Sequence, residues 1–340
     1  MEKDQENINE CDSSYDSSDS SLVANYGEEI HFFRTYQYKD GNDELDLIKV
    51  RIRSALSTRG RNLIIPGNDS TGIMIWPASY LLCQYLTYVL SMPSSSATYE
   101  AHSYRRILEL GGGCGSVSIT AACTWRQFRK KDDEHLDIIS TDMDQLSIDL
   151  CSENIELNNL GECVGEEKVR LKARTMCWGD MDRVEEIISE FRVNEKADLV
   201  IGADIVYPDT SEVVLSYLFK TVSATLKNNG HFLLSFVNRD YFVSAARLIN
   251  AANDACFKID YIPMSSFVPD ACSKFLPPML DAKLLTLARA SKDIAFEHNN
   301  SLGFEDCEIF PGLRATLARA EEESSLEDWE PPGFASDESD

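Results

Sequence analysis

At 340 residues and 43% hydrophobic content, the chain is long enough for one large domain or two modest ones, and no apolar run approaches the roughly 18 residues that a membrane-spanning helix needs. The formal charge of −25 sits mostly at the ends. Residues 1–29 hold nine acids and one lysine, and residues 321–340 hold nine acids and no base, which leaves about −8 for residues 30–320.

No dense Lys/Arg stripe offsets these ends, so nucleic-acid binding through phosphate neutralisation is disfavoured. The ten cysteines are scattered, with no C-x-x-C pair and no Cys/His cluster at metal-ligand spacing. They read as reduced thiols, and no metal site is expected. The charged start "MEKDQENINE" has no apolar segment of a secretory kind. The expectation is a monomeric protein of the cytosol or nucleus, without membrane attachment. Residues 1–29 read as an acidic disordered tail, and 291–340 as an extension ending in another, with Trp329 and Phe334 as candidate docking anchors.

In chain order, "IHFFRTYQY", "LDLIKVRIRS" and "RNLIIPG" look like short strands or a hairpin. "WPASYLLCQYLTYVL" reads as a helix with Pro77 in its first turn. Residues 30–104 are taken as an elaboration packed on a main domain at 105–290. Within that domain, "RRILEL" (105–110) is a strand, followed by glycines and a helix to about residue 130. "LDIIST" (136–141) is a second strand, and the helix after it carries Leu146, Leu150 and Ile155 on one face. Strand 168–173, helix 183–191 and strand 197–203 follow. A helix over 210–227 is then closed by "KNNG", with Gly230 as breaker. Strands at 231–236, 257–263 and 283–289 complete the set. This alternation predicts a doubly wound, mostly parallel seven-stranded α/β sheet with helices on both faces, a Rossmann-like arrangement.

"ILELGGGCGSVSI" is the first stretch that carries chemistry. Glycines at a strand-to-helix turn let the backbone approach a ligand closely. The dinucleotide pattern would require glycine at 116, where Ser116 stands. Gly111-Gly112-Gly113-Cys114-Gly115 after Glu109 suits instead a ligand with adenosine and amino-acid moieties and no pyrophosphate; a purely structural tight turn is the alternative. Asp142, at the end of the second strand, is placed to accept both hydroxyl protons of a ribose, while Asp144 can cap the next helix. In "ADLVIGADIVYP" a carboxylate, Asp204, ends an apolar run, three residues before Tyr207. In open α/β sheets that is the mouth of the ligand crevice.

Together, "GIMIWPASYLL", "ILELGGGCGSVSI", "STDMDQLSIDLCSENIELN", "MCWGD" and "ADLVIGADIVYPD" resemble the family-16 protein methyltransferases over roughly residues 70–240. These are seven-β-strand, S-adenosylmethionine-dependent enzymes with a D-x-x-Y motif, many of them lysine methyltransferases of chaperones and translation factors. The resemblance implies S-adenosylmethionine as cofactor and a lysine-bearing protein as substrate. It makes Trp76, Gly111, Gly112, Gly113, Asp142, Trp178 and Ala203 cofactor contacts, with the glycines at the methionine end, Asp142 on the ribose and Trp178 beside the adenine. Asp204 and Tyr207 become the catalytic pair at the substrate end. Because a carboxylate favours the charged form of a neighbouring amine, Asp204 is expected to capture and orient an ammonium rather than act as a strong base, with Tyr207 holding the amine in place. Methylation of a protein histidine or a small molecule, and a non-catalytic cofactor-binding module, are the alternatives.

Overall fold

The computed structural model describes residues 26–34, 37–39, 42–44, 47–55, 70–92, 104–128, 135–160, 168–237, 239, 243–268 and 282–301. Most of both acidic ends, the segment "RNLIIPG", Trp329 and Phe334 lie outside the described residues.

Strands β1 (Tyr26–Arg34) and β4 (Leu47–Ala55) form an antiparallel pair, and β2 (Gln37–Lys39) pairs with β3 (Asn42–Glu44) between them. Strand β1 thus begins inside the segment read as an acidic tail: Glu28 pairs with Arg51 at 2.7 Å across the two strands. After a 3-10 turn at Ser70–Ile73, helix α1 (Pro77–Ser91) opens on Pro77, whose missing N–H costs nothing at a helix start. It is buried nearly all round, which matches its run of Leu, Tyr and Val.

The main sheet then alternates with helices. Its strands are β5 (Arg106–Leu110), β6 (Leu136–Asp142), β7 (Val169–Thr175), β8 (Ala197–Ala203), β9 (Leu226–Val237), β10 (Phe257–Ile262) and β11 (Ala282–Arg289). Its helices are α2 (Ser116–Phe128), α3 (Gln145–Leu157), α4 (Met181–Ser189), α5 (Glu212–Thr225), α6 (Val243–Asp254) and α7 (Lys292–Ser301). The sheet order is β10-β11-β9-β8-β5-β6-β7, with β5 to β9 parallel and β11 antiparallel between β9 and β10.

Successive residues of a strand point to opposite faces, and here they divide between two cores. Ile107, Ile138, Leu199, Ile201, Leu233 and Leu284 join α1, α2, α3 and β4 on one face. Leu108, Ile139, Val200, Phe232, Leu234 and Leu285 join α4, α5 and α6 on the other. Both faces are covered, so a central strand such as β8, ADLVIGA, reads as a near-continuous apolar run.

Three local expectations are corrected. Helix α5 stops at Thr225, and Gly230 does not close it; Leu226 already pairs with Ala197, and residues 227–230 bulge out before His231 pairs with Leu199. Leu146 is 39% exposed, and α3 buries Ser147, Ile148, Leu150, Cys151, Asn154 and Ile155 instead. The extension from residue 291 starts as α7, whose buried Asn299 accepts from Ile259 N–H at 2.8 Å and donates to Asn253 Oδ1 and Phe257 O, both at 2.8 Å. Among the described residues no helix is long and apolar enough to cross a membrane.

Candidate functional site

Chain order reverses at β5: the next two strands lie to one side of it, and β8 lies on the other. The crevice of an open α/β sheet opens beyond the carboxyl ends of its strands at such a point. The loop after β5 and the turn after β8 therefore border one site.

Gly111 and Gly113 take φ values of +63° and +54°, in the region disfavoured for residues with a Cβ. A Cβ on Gly113 would also lie 2.5 Å from the carbonyl oxygen of Gly72 in the 3-10 turn. Gly113 N–H donates to Asp142 Oδ2 at 2.9 Å, and Gly112 N–H donates to Thr141 O at 2.8 Å, so the loop is moored to the end of β6. Asp142 Oδ1 accepts from Asp144 N–H at 3.0 Å. Burial pushes the Asp142 carboxyl up from its ordinary range, against the pull of these N–H donors. Asp144 caps α3, accepting from Leu146 and Ser147 N–H and from Ser147 Oγ.

Beneath the loop lies Glu109, 1% exposed. Its carboxylate accepts from Ser118 Oγ and, at 2.7 Å, from Ser140 Oγ. Burial, offset in part by these hydroxyls, raises its pKa to about 7, and the nearby Asp142 charge adds to the rise. Gly112 covers this group closely, since a Cβ there would fall 2.1 Å from Ser140 Oγ and 2.9 Å from Glu109 Oε2. Trp178, just past β7, brings its indole 3.7 Å from where a Gly111 Cβ would stand. Ala203 is the last residue of β8 and is 9% exposed.

Asp204 follows with φ +60°, a left-handed conformation that Asp tolerates better than most residues. Its N–H donates to Ser235 O at 2.8 Å, extending the β8–β9 ladder by one step. The expectation of an open carboxylate at the mouth is corrected. The Asp204 side chain is 0% exposed and is gripped in bidentate fashion by Arg239, at 2.7 and 2.6 Å. The left-handed turn aims the carboxyl at the end of β9 rather than outward. The same guanidinium stands 5.4 Å from the ring centre of Trp76, whose Nε1–H donates to Thr71 O at 2.9 Å. Tyr207 is 44% exposed in a turn closed by Thr210 N–H to Tyr207 O and by Tyr207 N–H to Thr210 Oγ1.

The structure thus gathers Gly111, Gly112, Gly113, Asp142, Trp178, Ala203, Asp204 and Trp76 around the carboxyl ends of neighbouring strands and the start of α1. Sequence reasoning missed Arg239; its signal was a base two residues beyond the strand that turned out to neighbour β8. It also missed Asn154 in α3 and Asn158, the residue that caps its C-terminus. Asn154 accepts from Arg53 N–H at 2.7 Å and donates to Arg53 O and Cys114 O, both at 2.9 Å. Asn158 accepts from Arg51 N–H at 2.9 Å and donates to Arg51 O at 2.6 Å. Four residues apart on one helix face, they satisfy the free edge of β4 and tie it to the glycine loop.

A family model described as lysine methyltransferase matches residues 62–250. Two curated proteins of Saccharomyces cerevisiae align with the same chain: protein-lysine N-methyltransferase EFM2, 26% identical over 162 residues, and protein-lysine N-methyltransferase EFM3, 27% identical over 150. The aligned parts cover 46% and 43% of this chain but only 36% and 39% of those relatives. Among solved structures, a ribosomal protein L11 methylase from Lactobacillus delbrueckii subsp. bulgaricus aligns with 62% of this chain and 77% of its own, at 14% identity and a TM-score of 0.36.

Proposed function

The chain belongs to the lysine methyltransferase family, and from that premise we propose that it transfers a methyl group from S-adenosylmethionine to the side-chain amine of a lysine in a protein substrate. The observation that carries this reading is the meeting, at the switch point of the sheet, of a left-handed glycine loop, a carboxylate bonded to that loop and the turn that holds Asp204.

The residues present fit the cofactor. The missing Cβ atoms of Gly111 and Gly113 leave the backbone able to approach a methionine-like moiety, as Gly113 already approaches the Gly72 carbonyl. Asp142, bonded on both oxygens by backbone N–H groups, is held in one orientation from which its remaining lone pairs can receive a ribose diol. Trp178 beside Gly111 supplies an apolar face for the adenine, Ala203 contributes backbone at the rim, and Trp76 closes the α1 side.

When bound, S-adenosylmethionine supplies a methyl group on a positively charged sulfur, open to in-line attack by a neutral amine. The chain's own residues position that amine. Tyr207, on the turn after β8, orients it for approach, and Asp204 lies at the start of the same turn with its charge matched by Arg239. A recombinant preparation incubated with methyl-labelled cofactor and a cell extract tests the reading. Label in a discrete protein band, lost with Asp142→Ala, supports it. Label confined to RNA or to acid-soluble material refutes it.

A further inference from the structure

A bare carboxylate next to the acceptor would hinder the reaction. A lysine ammonium has a reference pKa near 10.4 and no lone pair to offer, and a neighbouring negative charge stabilises that unreactive form further. The contact between Asp204 and Arg239 resolves this. We propose that Arg239 is a positioning residue for methyl transfer: by neutralising Asp204 and stacking over Trp76, it keeps the acceptor end of the crevice without net negative charge, so that lysine is held as the free amine. The proposal rests on the lysine methyltransferase reading above.

Three elements fix this arrangement. Strands β8 and β9 run parallel with Ala203 opposite Ser235, so both segments leave the sheet at the same edge, where Arg239 reaches back to Asp204. Ser235 Oγ donates to Ala78 O at 2.8 Å, which locks the first turn of α1, and Trp76 with it, against the same point of β9. The carboxylate has no exposed side-chain surface, whereas 29% of the arginine side chain remains exposed. Two short charge-assisted bonds in a fixed fork make this a geometry that lysine could not reproduce at position 239.

Other titratable groups on the surrounding elements include Glu109 on β5, Tyr80 on α1, Glu212 and Tyr217 on α5, Arg247 on α6 and Lys283 on β11. Among the described residues, Asp204 forms its ion pair with Arg239 and with none of these. Arg247 donates to the carbonyls of Pro208 and Thr210, and Lys283 lies over the Tyr261 ring. In the transfer, the lone pair on lysine Nζ forms the new N–C bond while the C–S bond breaks. The sulfur leaves as a neutral thioether, and the proton then shed by the methylated nitrogen passes to water. Loss of the proton that precedes attack is the step a naked Asp204 would oppose.

The test uses the full chain, S-adenosylmethionine and, as acceptor, the protein purified from the labelled band. For Arg239→Ala, the acid limb of the kcat profile moves up by about one pH unit or more, so kcat at neutral pH falls ~10-fold or more and recovers in alkali, while KM does not rise. The double variant Arg239→Ala/Asp204→Asn removes both charges and returns the limb to its wild-type position. Arg239→Lys restores it in part. Melting temperature gives a readout independent of turnover: Arg239→Ala lowers it by stranding a buried charge, and the double variant regains it. An unmoved acid limb with a raised KM would overturn the proposal, as would faster turnover of Arg239→Ala at neutral pH. If the wild-type enzyme leaves no methyl-lysine at all, the underlying reading fails, and the proposal with it.

Discussion

Replacing Glu109 by Gln tests whether the carboxyl beneath the glycine loop is as isolated from water as its surroundings indicate. The group is fully buried among Ser118, Ser140 and Gly112, and its pKa rises from an ordinary 4.5 to about 7. Between those values the folded carboxyl keeps its proton while the unfolded one has lost it. The folded state therefore binds more protons, and stability falls as pH rises through this window, whole below 4.5 and lost above about 7. At 1.36 kcal/mol per pH unit, the loss is about 3 kcal/mol. Gln keeps the shape and an acceptor oxygen but never charges, and the serine hydroxyls can rotate to accept from its amide. Glu109→Gln should match wild type near pH 4.5 and exceed it by about 3 kcal/mol at pH 8, a difference of ~6–12 °C in melting temperature for a domain of this size. Thermal melts of both proteins from pH 4.5 to 8 measure it. A difference that stays constant across that range, or grows toward low pH, would refute the reasoning.

Other predictions follow from single contacts. Gly113→Ala combines a left-handed backbone with a 2.5 Å approach to the Gly72 carbonyl; it should destabilise by about 2–4 kcal/mol and weaken adenosylhomocysteine binding in calorimetry by at least ~10-fold. Asn194→Ala, at an exposed site with φ +47°, is its control: it pays about 1 kcal/mol for the backbone and leaves binding untouched. Asn154→Ala strands the backbone groups of Arg53 and the Cys114 carbonyl. About 2–4 kcal/mol should be lost, and hydrogen exchange at Arg53 N–H should accelerate.

What the sequence made legible depended on how local the cause was. Strands such as "ADLVIGA" showed themselves because both faces of the sheet are covered, which turns alternation into a near-continuous apolar run. Pro77 and Asp144 act within one helical turn, and both sit where local chemistry puts them. "KNNG" has the composition of a helix end, yet pairing of Leu226 with Ala197 draws the chain into β9 five residues earlier. Tertiary pairing outweighed local preference there. Arg239 is the same case at the site: no spacing links it to Asp204, 35 residues away, because only the sheet order places β9 beside β8. Asn154 and Asn158 carried no local signal: both are buried, and their amides complete the edge of a strand 101 and 107 residues away.

The most direct measurement of the central claim is the identity of the acceptor atom. The band labelled when this protein is incubated with methyl-labelled S-adenosylmethionine would be hydrolysed, and the amino acid carrying the label identified. The account predicts label on lysine Nζ, with none transferred when the extract is treated beforehand to block its amines. Label on histidine, or retention of transfer after the amines are blocked, would contradict it.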